Sequence, residues 1–237
     1  VVPWPDPSLI PLFALIMVIH ILYKIAQGVT YTLGSYTVVY PVVRGTGPLF
    51  TVIGAGILFG EHFTAIQWLG VALLVSAIYG LALYNLKHWQ GGRDKLKPAL
   101  AMAVVTGLFV ALYTTVDAYG IRATPDPFTF LAWFFMLDGI TFAVVAAIRY
   151  ARMSDRPAPG PLALRGLTGG VVAYFSFGSI MLATRLDDVG EAAVLRETST
   201  VFAALIGWLV LKESTGPRRV TLMGLIALGA VIVEMGG

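Results

Sequence analysis

The stretch Val43–Phe50 reads VRGTGPLF, and the stretch Leu195–Phe202 reads LRETSTVF. Arginine, threonine and phenylalanine recur in both at an offset of 152 residues (196 − 44), and the same offset places Glu61 on Glu213. Each arginine lies inside an apolar segment. A cation in the hydrocarbon layer of a membrane is costly, and such residues mark functional sites. The repeat therefore predicts a duplicated helical membrane unit with a buried cation at an equivalent place in each copy.

The composition excludes a soluble domain. Of the 237 residues, 57% are hydrophobic and 12% are charged, whereas soluble domains carry about 25% charged residues. The chain must be solvated by a lipid bilayer. The net charge of +3 does not indicate nucleic acid, because the basic residues lie in short loops. There is no cysteine, and the three histidines have no metal-ligand spacing, so we expect no metal and no cofactor.

Eight segments are apolar and approach the length of about 20 residues that a membrane span needs. The predicted fold is an all-α integral membrane protein whose eight transmembrane helices cover approximately residues 9–32, 37–59, 66–86, 98–121, 128–150, 162–184, 190–211 and 219–235.

The repeat offset relates the last three segments to the first three, but segments 98–121 and 128–150 have no partner. We therefore expect that the chain lacks about two N-terminal helices and is the remnant of a bundle of two five-helix repeats. An odd number of helices per repeat inverts the second copy in the membrane, as in many secondary transporters. The alternative is a genuine eight-helix protein.

The basic residues are distributed unequally between the two predicted sides. One side holds eleven: Lys87, Arg93, Lys95, Lys97, Arg149, Arg152, Arg156, Arg165, Lys212, Arg218 and Arg219. The other holds only Arg122 and Arg185. The positive-inside rule places the eleven in the cytoplasm and the C-terminus outside. We expect the plasma (inner) membrane.

Several short motifs resemble a known family. Pro48–Phe50, Leu58–Glu61 and Gln67–Gly70 resemble the junction of the fourth and fifth helices in the drug/metabolite transporter superfamily, EamA-type, and Leu211–Glu213 with Gly224 resembles the same junction in the second repeat. The resemblance implies ten helices in two inverted five-helix repeats. Residues 1–92 would be the last three helices of the first repeat, and 93–237 the five helices of the second.

This sequence departs from the family pattern in two respects. Lys212 replaces the glycine that usually precedes the second glutamate. Members usually have cytoplasmic termini, whereas the charge distribution places this C-terminus outside, and we follow the charge distribution. The resemblance implies transport but leaves the substrate open.

Arg44 and Arg196 are the main candidates for substrate binding. A guanidinium is a planar, permanently charged fork that matches a carboxylate or phosphate. The alternatives are a structural ion pair with Glu197 and snorkelling to the interface. The predicted binding set also contains the recurring threonines and three aromatic residues: Glu197, Thr46, Thr198, Tyr40, Trp133 and Tyr174.

Asp138 and Lys24 are candidates for proton coupling, because each lies near the centre of an apolar segment. A desolvated carboxylate favours its neutral form unless a cation pairs with it. The alternative is that Asp138 is a constant partner of Lys24, Arg44 or Arg196. Asp117 is predicted to form an interfacial pair with Arg122.

Three further features predict local backbone structure. Pro41, Gly45, Gly47 and Pro48 predict either a helix broken around Arg44 or a packing kink, on one side of the repeat only. The patterns Gly56–Gly60 and Gly166–Gly170 predict close helix approach. Glu61 and Glu213 are predicted to cap the span that follows each of them.

The leading functional prediction is a secondary transporter for a small anionic or zwitterionic solute, working by alternating access. An intramembrane enzyme is disfavoured, because the sequence has no Gly-x-Ser-x-Gly, no Ser–His–Asp set and no metal cluster. A lipid head-group flippase and a non-transporting scaffold remain alternatives. The expected partners are a small molecule and the bilayer, with no nucleic acid, and a homodimer is left open.

Overall fold

The computed structural model describes residues 2–87, 95–209 and 216–237, which form helices and connecting turns without a strand. A 3-10 turn at Pro7–Leu9 precedes nine α-helices in these residues: α1 (Ile10–Leu33), α2 (Tyr36–Phe59), α3 (Ala65–Lys87), α4 (Leu96–Ala123), α5 (Pro127–Arg152), α6 (Pro159–Leu186), α7 (Val189–Leu195), α8 (Ser199–Leu209) and α9 (Pro217–Met235). His88, Arg93 and the motif Leu211–Glu213 lie outside the described residues.

Helices α1 to α6 are long and apolar enough to cross a membrane. The seventh predicted span is divided into α7, a 3-10 turn at Arg196–Thr198, and α8. In α9 the apolar part is shorter, at Val220–Met235. The described residues therefore form an all-helical protein with six candidate membrane spans.

Local chemistry fixes several helix ends. The Asp126 carboxylate accepts hydrogen bonds from the backbone N–H groups of Phe128 and Thr129, so it caps α5 behind Pro127. The hydrogen bonds from Thr129 hold the pKa of Asp126 below its usual value. Gly60 ends α2 with φ of 71°, a conformation that glycine adopts without steric cost.

The most extensive helix contact is between α3 and α9, followed by α2 with α4 and α1 with α4. Glycines allow the first of these. A Cβ added at Gly70 would lie 2.7 Å from the carbonyl oxygen of Gly229, and one added at Gly229 would lie 2.8 Å from that of Gly70. The prediction of close approach at Gly166–Gly170 is wrong, because a Cβ added at either glycine would have no neighbour within 4 Å among the described residues.

We expect Gly70→Ala to lower the free energy of unfolding by about 1–3 kcal/mol, because the new methyl overlaps backbone that cannot rotate away. Thermal melting of the detergent-solubilised protein measures this. Gly28→Ala in α1 is the control, since its Cβ would meet nothing within 4 Å. Equal melting temperatures for the two variants would contradict the close α3–α9 contact.

Helices α5 and α6 are much less covered than the others. Only 11% of the most apolar window of each is buried, compared with 50% in α2 and α4. The exposed side chains are large and apolar, among them Val144, Leu167 and Val172. These faces need lipid as their solvent.

The helix break lies in the opposite copy from the one predicted. Helix α2 runs continuously through Pro41 and Pro48. The interruption is at Arg196–Thr198, where the hydroxyl of Thr198 donates to the Leu195 carbonyl and that of Thr200 to the Glu197 carbonyl, both at 2.7 Å. The same kind of hydroxyl-to-carbonyl bond occurs inside the continuous helices α2 and α4, at Thr46 and Thr114, so these bonds alone do not cause the interruption.

Candidate functional site

Arg44 and Glu197 form an ion pair between α2 and the 3-10 turn. The Arg44 Nε lies 3.1 Å from Glu197 Oε2, and the Glu197 side chain is completely buried. The Arg44 Nη2 also donates to Ser199 Oγ at 2.6 Å. One turn before it, the Tyr40 ring lies 5.6 Å from the guanidinium carbon. Pairing with Arg44 offsets part of the desolvation cost of the buried carboxylate.

Arg196 approaches the same carboxylate from its own side. Its Nε lies 3.7 Å from Glu197 Oε1, too far for a good hydrogen bond. Within the described ranges its Nε and Nη2 are buried and have no hydrogen-bond partner. Buried donors without partners are rare and need an explanation. Arg196 therefore keeps hydrogen-bonding capacity that the described residues do not use.

The two arginines line one cavity of about 500 Å³. Its walls come from α2, α4, α6, α7, the 3-10 turn and α8. The lining residues are Arg44, Tyr113, Ser176, Phe177, Ile180, Ala183, Ala192, Leu195, Arg196, Thr198, Ser199 and Phe202. This volume falls within the range of small-molecule sites.

The cavity has a surplus positive charge. Arg44 and Arg196 contribute two cations, and Glu197 contributes one anion. Aromatic and aliphatic side chains form most of the remaining wall. An anionic group is the ligand that this arrangement favours, because a guanidinium in a site of low dielectric binds carboxylate or phosphate strongly.

Of the other predicted binding residues, Thr198 lines the cavity and Tyr40 lies beside Arg44, but three lie elsewhere. Thr46 hydrogen-bonds to Tyr79 at 2.8 Å, because two residues along a helix turn it about 200° from Arg44. Trp133 donates to the Pro3 carbonyl at 2.8 Å. Tyr174 packs against Phe135. The structure does not bring these three to the site.

The predicted proton-coupling residues lie together, outside the cavity. Lys24 Nζ donates to Asp138 Oδ1 at 2.5 Å, joining α1 to α5. The ammonium also lies 4.4 Å from the centre of the Phe142 ring. Both side chains are about a quarter exposed. Asp138 is thus paired with Lys24, one of the three cationic partners that the alternative to proton coupling predicted.

Asp117 pairs with His20, and the predicted pair with Arg122 is wrong. His20 Nε2 lies 2.9 Å from Asp117 Oδ2, and both side chains are buried. Residues five positions apart on a helix do not share a face, so Arg122 points away. It donates instead to the carbonyls of Thr184 and Asp187. In the sequence, the only sign of the His20–Asp117 pair is that each residue lies inside an apolar segment.

Glu61 caps a distant helix and not α3. Its carboxylate oxygens accept from the backbone N–H groups of Val189 and Gly190, at 2.8 and 3.0 Å. The start of α3 is served by Thr64 and Gln67, each of which accepts from the other's backbone N–H, as in a capping box. Glu61 is therefore available to hold the N-terminus of α7.

We expect Glu61→Ala to lower the free energy of unfolding by about 1–2 kcal/mol, because two amides at the start of α7 lose their acceptors. Thermal melting is the measurement. Glu234→Ala is the matched control, since Glu234 is exposed near the end of α9. A melting temperature equal to that of the control would show that the cap contributes nothing.

Several cavity residues were not predicted. Tyr113, Ser176 and Phe177 line the cavity from α4 and α6. Nothing separates them in sequence from other aromatic and small residues in apolar segments. Ser199 had a weak signal, because it lies in the repeated stretch, at the position equivalent to Gly47.

The model of the EamA-like transporter family matches residues 97–235, which include α4 to α9. The chain belongs to this family. It is therefore an integral multi-pass membrane protein and a membrane transporter of the drug/metabolite type. No curated protein and no solved structure matches the chain. The matched region contains Arg196 and Glu197, whereas Arg44 lies before it.

Proposed function

We propose that this EamA-like transporter is a secondary transporter, not an enzyme, and that it carries a small anionic or zwitterionic metabolite across the plasma (inner) membrane. The solute would bind in the cavity at Arg44 and Arg196 and cross by alternating access. One observation carries this proposal: two arginines at repeat-equivalent positions meet one buried carboxylate at the edge of a cavity of ligand size.

The charge balance of the site supports the solute class. Arg44 makes the closer ion pair with Glu197 and donates through Nη2 to Ser199, whereas the Nη2 of Arg196 has no hydrogen-bond partner among the described residues. A solute carboxylate can accept from Arg196 and neutralise the surplus charge. A zwitterion also fits, because its carboxylate can bind the arginines and its net charge is zero. A cation would add to a positive site and is disfavoured.

The inverted repeat is supported by helix packing. In two copies related by an axis in the membrane plane, equivalent helices can lie side by side across that axis. In this arrangement α3 and α9 would be the last helices of their copies, and they pack closely against each other. The equivalent stretches around Arg44 and Arg196 likewise meet, at Glu197. Rocking of one copy against the other would then open the cavity to each side in turn.

Exchange in proteoliposomes tests the proposal. Vesicles loaded with one unlabelled solute are given the same solute with a radioactive label, for malate, pyruvate, alanine, phenylalanine, lysine and choline. We expect exchange of at least one anionic or zwitterionic member and none of choline or lysine. Exchange of cations alone would overturn the solute class, and no exchange of any member would overturn transport of small metabolites by this chain.

A lipid head-group flippase is the second candidate. The cavity rim includes Ser176 on α6 and Phe202 on α8, and both are exposed, Phe202 by 63%. A lateral opening between these helices would let a lipid head group enter while its tails stay in the bilayer. Transfer of fluorescent phosphatidylserine between leaflets, together with no exchange of soluble solutes, would favour this function.

A further inference from the structure

The buried pair of His20 and Asp117 lies behind the cavity, and the proposed function does not use it. We propose that this pair binds the coupling proton and that the transporter carries one monoanion together with one proton, without net charge movement. The inference rests on the proposed function and adds to it the solute charge and the coupling ion.

The pair is built from two helices and is closed to solvent. His20 on α1 and Asp117 on α4 are 5% and 2% exposed, and their facing atoms are 2.9 Å apart. Asp117 Oδ1 is buried and has no hydrogen-bond partner in the part of the chain that the structure describes. A histidine that faces a carboxylate with one free oxygen can share a proton with it or release that proton.

Two aromatic rings connect the pair to the cavity. The His20 ring lies 4.9 Å from the Tyr113 ring and 6.1 Å from the Phe177 ring. Both of these rings line the cavity that holds Arg44 and Arg196. The pair and the substrate site are thus separated by one layer of side chains, and a charge in either is felt in the other through a medium of low dielectric.

The charged and titratable groups around the pair are few. Helix α1 contributes Tyr23 and Lys24, helix α4 contributes Tyr113, and helix α5 contributes Asp138. Helix α6 contributes Phe177 to the contacts, and α5 also contributes Phe134. A change of charge on His20 and Asp117 is therefore compensated by the charge in the cavity, because Lys24 and Asp138 already neutralise each other.

Charge neutrality couples the two sites. With one proton the pair is neutral, as imidazolium with carboxylate, and without that proton it carries one negative charge. The empty cavity carries one positive charge, from two arginines and Glu197, and a bound monoanion cancels it. The pair and the cavity together are thus neutral when the cavity is empty and the pair is deprotonated, and neutral again when they hold one anion and one proton. The mixed states bury an uncompensated charge, which is costly.

The test uses the full chain in proteoliposomes, with the anion of the solute panel that exchanges fastest. With the membrane potential held at zero and the outside more acidic by about one pH unit, we expect about tenfold accumulation, the limit for one proton per solute. A membrane potential of either sign should leave this ratio unchanged. The double variant H20Q/D117N keeps a neutral hydrogen-bonded pair that cannot titrate.

For this double variant we expect exchange of labelled for unlabelled anion to persist and net accumulation driven by the pH gradient to be lost. The empty form would then keep an unbalanced positive charge and could not return. His62→Gln is the control, because His62 is exposed, and it should accumulate the anion normally. Accumulation by the double variant equal to that of the wild type would overturn the inference.

Two results on the wild type keep the inference falsifiable if the double variant fails to insert. Exchange without accumulation driven by the pH gradient would overturn proton coupling and leave the proposed transport function intact. Accumulation that changes with membrane potential would overturn the neutral one-to-one ratio. If the wild type exchanges no member of the panel, the proposed function fails, and the inference fails with it.

Discussion

Arg44→Gln is expected to abolish measurable solute exchange and to lower the stability of the protein. The substitution removes a cation from the cavity and leaves Glu197 buried with only Arg196 at 3.7 Å. Breaking a buried ion pair from one side costs about 3–5 kcal/mol, and we expect the lower end because Arg196 remains. Exchange in proteoliposomes and thermal melting in detergent measure the two effects.

The double variant R44Q/E197Q separates these effects. Replacing both partners removes the stranded carboxylate, so we expect most of the lost stability to return. Exchange should not return, because Arg196 alone keeps the net charge of the cavity but does not replace the second guanidinium in binding the solute. Recovery of exchange together with stability would show that Arg44 only holds the structure, and its role in solute binding would be wrong.

Arg196→Gln is expected to reduce exchange at least about tenfold with little change in melting temperature. Truncating a charged partner of a buried ligand costs about 2–5 kcal/mol of binding. The stability effect is smaller than for Arg44, because Arg196 makes the longer ion pair and its Nη2 has no hydrogen-bond partner in the described chain. Arg44 still neutralises Glu197 in this variant.

Two controls define the Arg196 experiment. Arg196→Lys keeps the charge but loses the fork, so it should retain part of the exchange rate. Arg218→Gln removes an exposed arginine at the start of α9 and should leave exchange unchanged. A large fall in melting temperature for Arg196→Gln, with exchange unaffected, would assign Arg196 to structure and not to the solute.

Much of the helical architecture could be predicted from the sequence, because apolar length and loop charge follow directly from the bilayer as a solvent. The repeat of arginine, threonine and phenylalanine also directed attention to Arg44, Arg196 and Glu197, which the structure brings together. The repeat identifies equivalent positions in the two copies, and a buried cation at such a position needs an anionic partner. Together they predict that Arg44 and Arg196 lie close to a shared carboxylate.

The partners of other polar residues could not be predicted, because they depend on how each helix is rotated about its axis. Asp117 is close in sequence to Arg122 but faces His20, which precedes it by 97 residues. Thr46 is two residues from Arg44 and faces Tyr79 on α3. Helices with apolar residues on all sides give little periodic signal for such rotation.

The position of the helix break could not be predicted from the residues that usually interrupt helices. Proline is a strong breaker in isolated helices, yet Pro41 and Pro48 lie inside a continuous α2. The break occurs where two threonine hydroxyls bond to backbone carbonyls, next to a buried glutamate. Arg196 lies in this 3-10 turn and lines the cavity, so the irregular backbone belongs to the copy of the repeat that has no proline near its arginine.

The most direct measurement compares exchange by the wild type and by Arg196→Gln, reconstituted side by side at equal density and with equal melting temperatures. We predict that the wild type exchanges an anionic or zwitterionic solute and that Arg196→Gln exchanges it at least about tenfold more slowly. Equal exchange by both proteins, or exchange of choline and lysine alone by the wild type, would contradict the account of a solute-binding cavity formed by the two arginines.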